Sequence, residues 1–129
     1  MTLDLWMLLT AAGLQWALIM ATAFPQILAN GMGWASGNRD ETPTPKGWVA
    51  RCQRCSANMM ENLPIFAILV LVAHVSGSAD AMTANGAVLF VVARLVHAGL
   101  YVGGIPLLRT GAWAFSIVGW ALILAGIAT

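Results

Sequence analysis

The feature that most limits the fold is a succession of apolar runs, each long enough to cross a lipid bilayer. A hydrocarbon core of about 30 Å takes roughly 20 helical residues. Such runs predict helices over about residues 5–28, 47–76, 81–102 and 110–127. The sequence therefore predicts an all-α fold, a four-helix transmembrane bundle forming a single domain over residues 1–129.

Composition supports an integral membrane protein and argues against other classes. Hydrophobic residues make up 60% of the chain and charged residues only 9%, whereas a soluble domain carries about 25% charged residues. The net charge of +1 and the lack of a basic patch argue against a nucleic-acid partner. The first apolar run follows Met1 almost directly, has no positively charged segment before it and is too long for a signal peptide. We therefore expect a permanent helix there.

A polar stripe marks the start of the second apolar run. On a helix, its residues fall within an arc of roughly 80°; they are Arg51, Arg54, Asn58 and Glu61. A charged side chain at the centre of a membrane helix costs roughly 2.5–3.5 kcal/mol, so it is expected to face a bundle interior or a wet cavity. The stripe is therefore the first candidate functional site.

The third helix carries a second polar face. Its members share one side of the helix; they are Arg94, His97 and Tyr101. One interpretation is structural, with Glu61 paired to Arg94 or Arg54 to fix the helix register. The functional interpretation is favoured, because ionisable residues inside a membrane are candidates for substrate or ion sites. For Arg51, an anchor in the lipid headgroups is an equally good explanation.

Cys52 and Cys55 form a C-x-x-C pair within the second helix. A zinc site needs four ligands, and no second pair of cysteines or histidines lies nearby. A thioredoxin-like role needs a βαβ context, which is absent. The favoured interpretation is two small residues that pack closely between helices, and no metal is expected.

The basic residues predict the orientation in the membrane. Arg39 and Lys46 lie in the loop after the first helix, and Arg109 lies in the turn after the third; Asp4 and Asp80 mark the opposite ends. The positive-inside rule places both basic loops in the cytoplasm and both termini on the non-cytoplasmic side. The expected location is a bacterial inner membrane, which the chain crosses several times.

These motifs resemble the MAPEG family, the membrane-associated proteins in eicosanoid and glutathione metabolism. The family includes microsomal glutathione transferases and the cysteinyl-leukotriene synthase. The second helix carries R-x-x-R-x-x-x-N-x-x-E-x-x-P-x-F from Arg51 to Phe66, and the third carries A-R-x-x-H-x-x-x-Y from Ala93 to Tyr101. The four-helix layout is also similar, so the resemblance covers essentially the whole chain.

The resemblance implies a homotrimer that binds glutathione between adjacent subunits near the cytoplasmic side. The implied contacts from one subunit are Arg51, Arg54, Asn58 and Glu61, and those from its neighbour are Arg94, His97 and Tyr101. His97 and Asn62 stand where many relatives carry tyrosine. Arg109 is the candidate catalytic residue that stabilises the thiolate, although its spacing from Tyr101 differs by one residue from that in relatives.

The predicted function is conjugation of glutathione, as co-substrate, to a small lipophilic electrophile in the bilayer, or reduction of a lipid hydroperoxide. A cation within ~4–6 Å favours the thiolate, which is the nucleophilic form. The expected partners are membrane lipid, the lipophilic co-substrate and further copies of the chain. The alternative is a non-catalytic binding or assembly subunit that retains the site. An Arg109 side chain pointing away from the site would favour that alternative.

Overall fold

A computed structural model describes all residues from Met1 to Thr129. It contains four helices: α1 (Leu3–Ser36), α2 (Gly47–Val75), α3 (Ala81–Gly103) and α4 (Pro106–Ala128). Each is long and apolar enough to cross a membrane. The predicted class, an all-α fold with four long apolar helices, is confirmed.

The first helix extends beyond its predicted end at residue 28. The glycine-containing sequence after Asn30 was expected to form a loop, but the backbone leaves helical geometry only at Gly31, with φ 83°, and the helix resumes to Ser36. A glycine adopts this positive φ without the penalty that a β-carbon would bring. The 34 residues of α1 span roughly 50 Å, so its last turns extend past a ~30 Å hydrocarbon core.

The fourth helix begins earlier than predicted. It starts at Pro106, because proline has no N–H to donate and its fixed φ suits the first turn of a helix. Arg109 therefore lies in the first turn of α4 and not in the preceding turn. The ends of α2 and α3 differ from their predicted positions by one residue each.

Helices α3 and α4 pack at very close range. A β-carbon on Gly86 would lie 2.7 Å from the carbonyl oxygen of Gly119, and one on Gly119 would lie 2.7 Å from that of Gly86. Small residues allow this approach between membrane helices. The two helices form a tight pair that carries Tyr101 and Arg109 near the turn joining them.

An aromatic stack connects α2 to that pair. The rings of Phe66 and Phe90 are stacked with centroids 4.0 Å apart, and the ring of Trp120 follows at 6.0 Å from Phe90. Phe66 and Phe90 are fully buried. The stack joins α2, α3 and α4 in the middle of the bundle.

Polar contacts attach α1 to α2. The Nε2 atom of Gln15 donates to the hydroxyl of Ser56 at 3.0 Å. Near the two termini of these helices, His74 Nε2 lies 2.9 Å from Thr2 Oγ1 and 3.0 Å from Asp4 Oδ2. His74 therefore lies at the end of the bundle opposite the loop that carries Arg39 and Lys46.

Candidate functional site

The polar stripe of α2 faces two environments. Arg54 and Glu61 are exposed on the outer surface of the chain, while Asn58 is half-buried. On the other side of the helix, Cys52 and Met59 are buried in the core. The stripe therefore has an outward charged part and an inward amide at Asn58.

Arg94 is buried deep in the bundle, with only 1% of its surface exposed. Its Nη2 donates to Asn58 Oδ1 at 2.8 Å and its Nε to Met59 Sδ at 3.3 Å, while its Nη1 has no partner. The structural interpretation of a Glu61 pair with Arg94 or Arg54 is wrong within one chain, because Glu61 forms no salt bridge there; the only basic–acidic contact of that length joins His74 to Asp4. A buried guanidinium without a carboxylate carries an uncompensated charge.

A cavity of about 190 Å³ brings four of the predicted residues together. Asn58 contributes from α2, His97 and Tyr101 from α3, and Arg109 from α4. The Tyr101 ring is close to both His97 of α3 and Arg109 of α4. Its centroid is 5.4 Å from that of His97, and the Arg109 guanidinium carbon lies 4.2 Å from it.

Two further residues of α4 line this cavity, and neither was predicted from the sequence. They are Thr110 and Trp113. Trp113 is of a residue type that is enriched at membrane–water interfaces. Its position one helical turn after Arg109 places both side chains on the same side of α4, which is a signal that could have identified it.

Arg51 lies apart from the cavity. Its Nε donates to the carbonyl oxygen of Val102 at 2.7 Å, and its guanidinium approaches the position that a β-carbon would take on Gly104. It thus satisfies a carbonyl in the last turn of α3, which would otherwise have no helical partner. This contact holds the start of α2 against the end of α3.

The two cysteines are free thiols in the protein interior. Cys52 and Cys55 have 2% and 1% of their surfaces exposed. Cys55 Sγ lies 4.0 Å from His97 Nδ1, so this thiol packs directly behind a residue of the cavity. Their burial agrees with the interpretation of close packing between helices.

Within one chain, the structure thus joins Asn58, His97, Tyr101 and Arg109 around the cavity, with Arg94 bonded to Asn58. It leaves Arg54 and Glu61 on the outer surface and Arg51 at the end of α3. The cavity lining contains a cation and no carboxylate. Such an arrangement can bind an anion and stabilise negative charge that develops on a ligand.

Comparison with known proteins yields one family. The model of a family described as MAPEG matches residues 3–129. No curated protein and no solved structure matches the chain significantly. The match covers all four helices and both groups of site residues.

Proposed function

Because the chain belongs to the MAPEG family, we propose that it is a glutathione-dependent membrane enzyme. Members of this family are membrane proteins of glutathione and eicosanoid metabolism. The proposed reactions are conjugation of glutathione to a lipophilic electrophile and reduction of a lipid hydroperoxide. Both use the glutathione thiolate as the nucleophile.

The observation that carries the proposal is the position of Arg109 at the cavity. Its guanidinium lies against the Tyr101 ring and shares the cavity with Asn58 and His97. This placement favours the enzyme over the non-catalytic alternative, because a cation is available where a thiolate would form. The unpartnered Nη1 of Arg94 adds a second positive group close to the same amide.

The cavity suits one part of a tripeptide. Pockets for small-molecule ligands have volumes of about 300–1,000 Å³, whereas this cavity measures about 190 Å³. We infer that it takes the cysteinyl part of glutathione, and that Arg54 and Glu61 of an adjacent copy bind the charged ends. This division requires an oligomer, and the resemblance to the family favours a homotrimer.

In the conjugation reaction, Arg109 would stabilise the thiolate by its charge. The thiolate sulfur attacks the electrophilic carbon, an S–C bond forms, and the leaving group departs with the bonding electrons. With a hydroperoxide, the sulfur attacks the terminal oxygen and the O–O bond breaks, so that glutathione becomes a sulfenic acid. The alkoxide that leaves takes up a proton from water and becomes an alcohol. A second glutathione then converts the sulfenic acid to the disulfide and releases water.

We propose that the site opens to the cytoplasm, since the loop carrying Arg39 and Lys46 lies at the same end of the bundle as the cavity.

The test compares Arg109→Ala with Arg109→Lys, which keeps the charge, and with Lys46→Ala in the loop as a control. Thiolate absorbance of bound glutathione is followed against pH in each protein. Arg109→Ala should raise the thiol pKa and lower turnover, because the stabilising charge is lost. The glutathione affinity should stay within about a factor of ten, since other residues hold the peptide. Arg109→Lys should recover part of the pKa depression.

Identical titration curves for the original protein and Arg109→Ala would contradict the assigned role. The absence of any glutathione binding by the original protein would reject the function altogether. Glutathione binding without turnover of any electrophile or hydroperoxide would favour the non-catalytic binding or assembly subunit.

A further inference from the structure

A thiolate in the cavity at Arg109 can form only if a proton leaves the thiol. A free cysteine thiol is mostly protonated at neutral pH, since its pKa is about 8.5. Arg109 stabilises the thiolate by its charge but already carries its full set of protons, so it cannot accept another. The cavity lining contains no carboxylate, and Glu61 of an adjacent copy is assigned to the amino group of glutathione. The thiol proton therefore needs another acceptor.

One residue of the lining has a side chain that can accept a proton at neutral pH. The amide of Asn58 and the indole of Trp113 are not basic. The hydroxyls of Tyr101 and Thr110 keep their own protons at that pH. A neutral imidazole, in contrast, carries a lone pair on one ring nitrogen. The lining therefore offers a proton acceptor at His97 alone.

The two ring nitrogens of His97 have different surroundings. Nδ1 lies 4.0 Å from Cys55 Sγ in the protein interior. Nε2 has no hydrogen-bond partner within the chain and is not fully enclosed by it. With the ring proton on Nδ1 and directed at the Cys55 sulfur, which accepts hydrogen bonds weakly, the lone pair on Nε2 is free. His97 as a whole is only 3% exposed, so bulk water competes little for that lone pair.

The charges around His97 link its proton to the ligand. Arg94 precedes it by nearly one turn of α3, and the Arg109 guanidinium of α4 contacts the same Tyr101 ring as His97 does. The titratable group that faces the ring from α2 is the uncharged Cys55 thiol. Like charge nearby is unfavourable for an imidazolium in the empty cavity. A thiolate adds a negative charge, so that thiolate and imidazolium form an ion pair of the kind that activates nucleophilic thiols.

We propose that His97 is the catalytic base that accepts the thiol proton of glutathione in this cavity, with Nε2 as the accepting atom. The electron pair of the S–H bond stays on sulfur, an N–H bond forms, and a thiolate lies beside an imidazolium. After the product leaves, the imidazolium gives its proton to water and the neutral ring is restored. The inference rests on the proposed function and gives His97 a role beyond the binding contact that the resemblance implies.

The first test counts protons in the original protein. Calorimetry of glutathione binding to the full chain in nanodiscs, repeated at one neutral pH in buffers of different ionisation enthalpy, gives the number of protons released to solvent. Thiolate absorbance of the same samples gives the amount of thiolate formed. S-methylglutathione, which has no thiol, gives the protons exchanged by all other groups. If His97 accepts the proton, almost none is released per thiolate, whereas about one proton per thiolate would overturn the proposal.

A pair of variants tests the residue itself. His97→Gln keeps a polar side chain but cannot take up a proton, so each thiolate should now release about one proton to solvent. Its turnover at neutral pH should fall about 100-fold, and the loss should shrink as the pH rises, because bases in solution then remove the thiol proton. The matched control is His74→Gln at the opposite end of the bundle. It should show the proton count and the pH profile of the original protein.

A purely structural role of His97 would lower turnover by the same factor at every pH. Such a uniform loss, or an unchanged proton count in His97→Gln, would overturn the proposal. If His97→Gln fails to fold, the proton count of the original protein still decides the outcome. A full proton released with a normal thiolate signal would reject the role of His97 and leave the proposed function intact. The absence of glutathione binding, or binding without a thiolate, would reject both.

Discussion

Glu61 is an exposed carboxylate on a helix that is otherwise suited to lipid or to another protein surface. In the proposed site, Glu61 accepts a hydrogen bond from the charged amino group of a glutathione molecule that is bound in the cavity of the adjacent copy. Glu61→Gln should therefore weaken glutathione binding by roughly 1.5–3 kcal/mol, measured by calorimetry on the purified protein. The loss is about 10- to 150-fold in affinity.

The matched control is Glu41→Gln, the same substitution at an exposed loop position. It should leave the affinity for glutathione unchanged. Equal affinities for the original protein, Glu61→Gln and Glu41→Gln, all of them folded, would remove Glu61 from the site.

The stripe residues could be predicted from the sequence because a helical period fixes which side chains share a face. The residues that they contact could not be predicted in this way. Glu61 and Arg94 have opposite charges, and one interpretation paired them, yet Arg94 contacts Asn58 and Met59. Which side of α2 meets α3 depends on how the whole bundle packs, and no local pattern carries that information.

At the scale of whole helices, the contact of α3 with α4 depends on the absence of side chains at two positions. Gly119→Ala would place a β-carbon 2.7 Å from the carbonyl oxygen of Gly86 and 2.8 Å from the amide nitrogen of Phe90. Backbone atoms cannot move aside as a flexible side chain can. The substitution should lower the free energy of unfolding by about 1–3 kcal/mol, as overpacked sites do.

The control for that substitution is Gly111→Ala in the same helix, where nothing lies within 4 Å of the added carbon. It should leave stability unchanged or raise it slightly, because alanine loses less backbone entropy than glycine in a helix. Thermal unfolding of both proteins in one detergent gives the comparison. Equal transition temperatures for the two variants would show that the helices can separate at no cost.

The number and approximate extent of the helices could be predicted because apolar length is a strong signal. The ends of the helices were harder to predict. Gly31 does break the helix, as its residue type indicates, but the chain resumes helical geometry afterwards. Pro106 lies before residue 110, the predicted start of the fourth helix, although it is the first residue of α4. In both cases a residue that interrupts a helix does not tell whether another turn follows.

At the scale of the whole molecule, the outer face of α2 has no partner within the chain. Arg54, Glu61, Ile65 and Ile68 are all exposed. Charged groups cost too much against lipid, so we expect this face to meet other copies in a homotrimer. Native mass spectrometry in a gentle detergent should show three chains, and a purely monomeric protein would contradict the assembly.

A substitution on the same face tests the location of the interface. Ala57→Phe adds a large ring between Arg54 and Glu61 and should reduce the trimer fraction, since helices at a shared axis approach closely. Ala12→Phe on exposed α1 is the control and should leave the trimer intact. A loss of trimer in Ala12→Phe but not in Ala57→Phe would indicate that the interface lies on α1 instead.

The contact of His74 with Thr2 and Asp4 has a consequence for how the protein is made. Thr2 and His74 are 72 positions apart in the chain, so a ribosome working at ~5–20 residues per second delivers the second about 4–14 s after the first. During that interval Asp4 has reached the membrane without the imidazole that binds it. We expect that α1 is held only loosely until α2 has crossed back, and that the newly synthesised hairpin locks at its far end last.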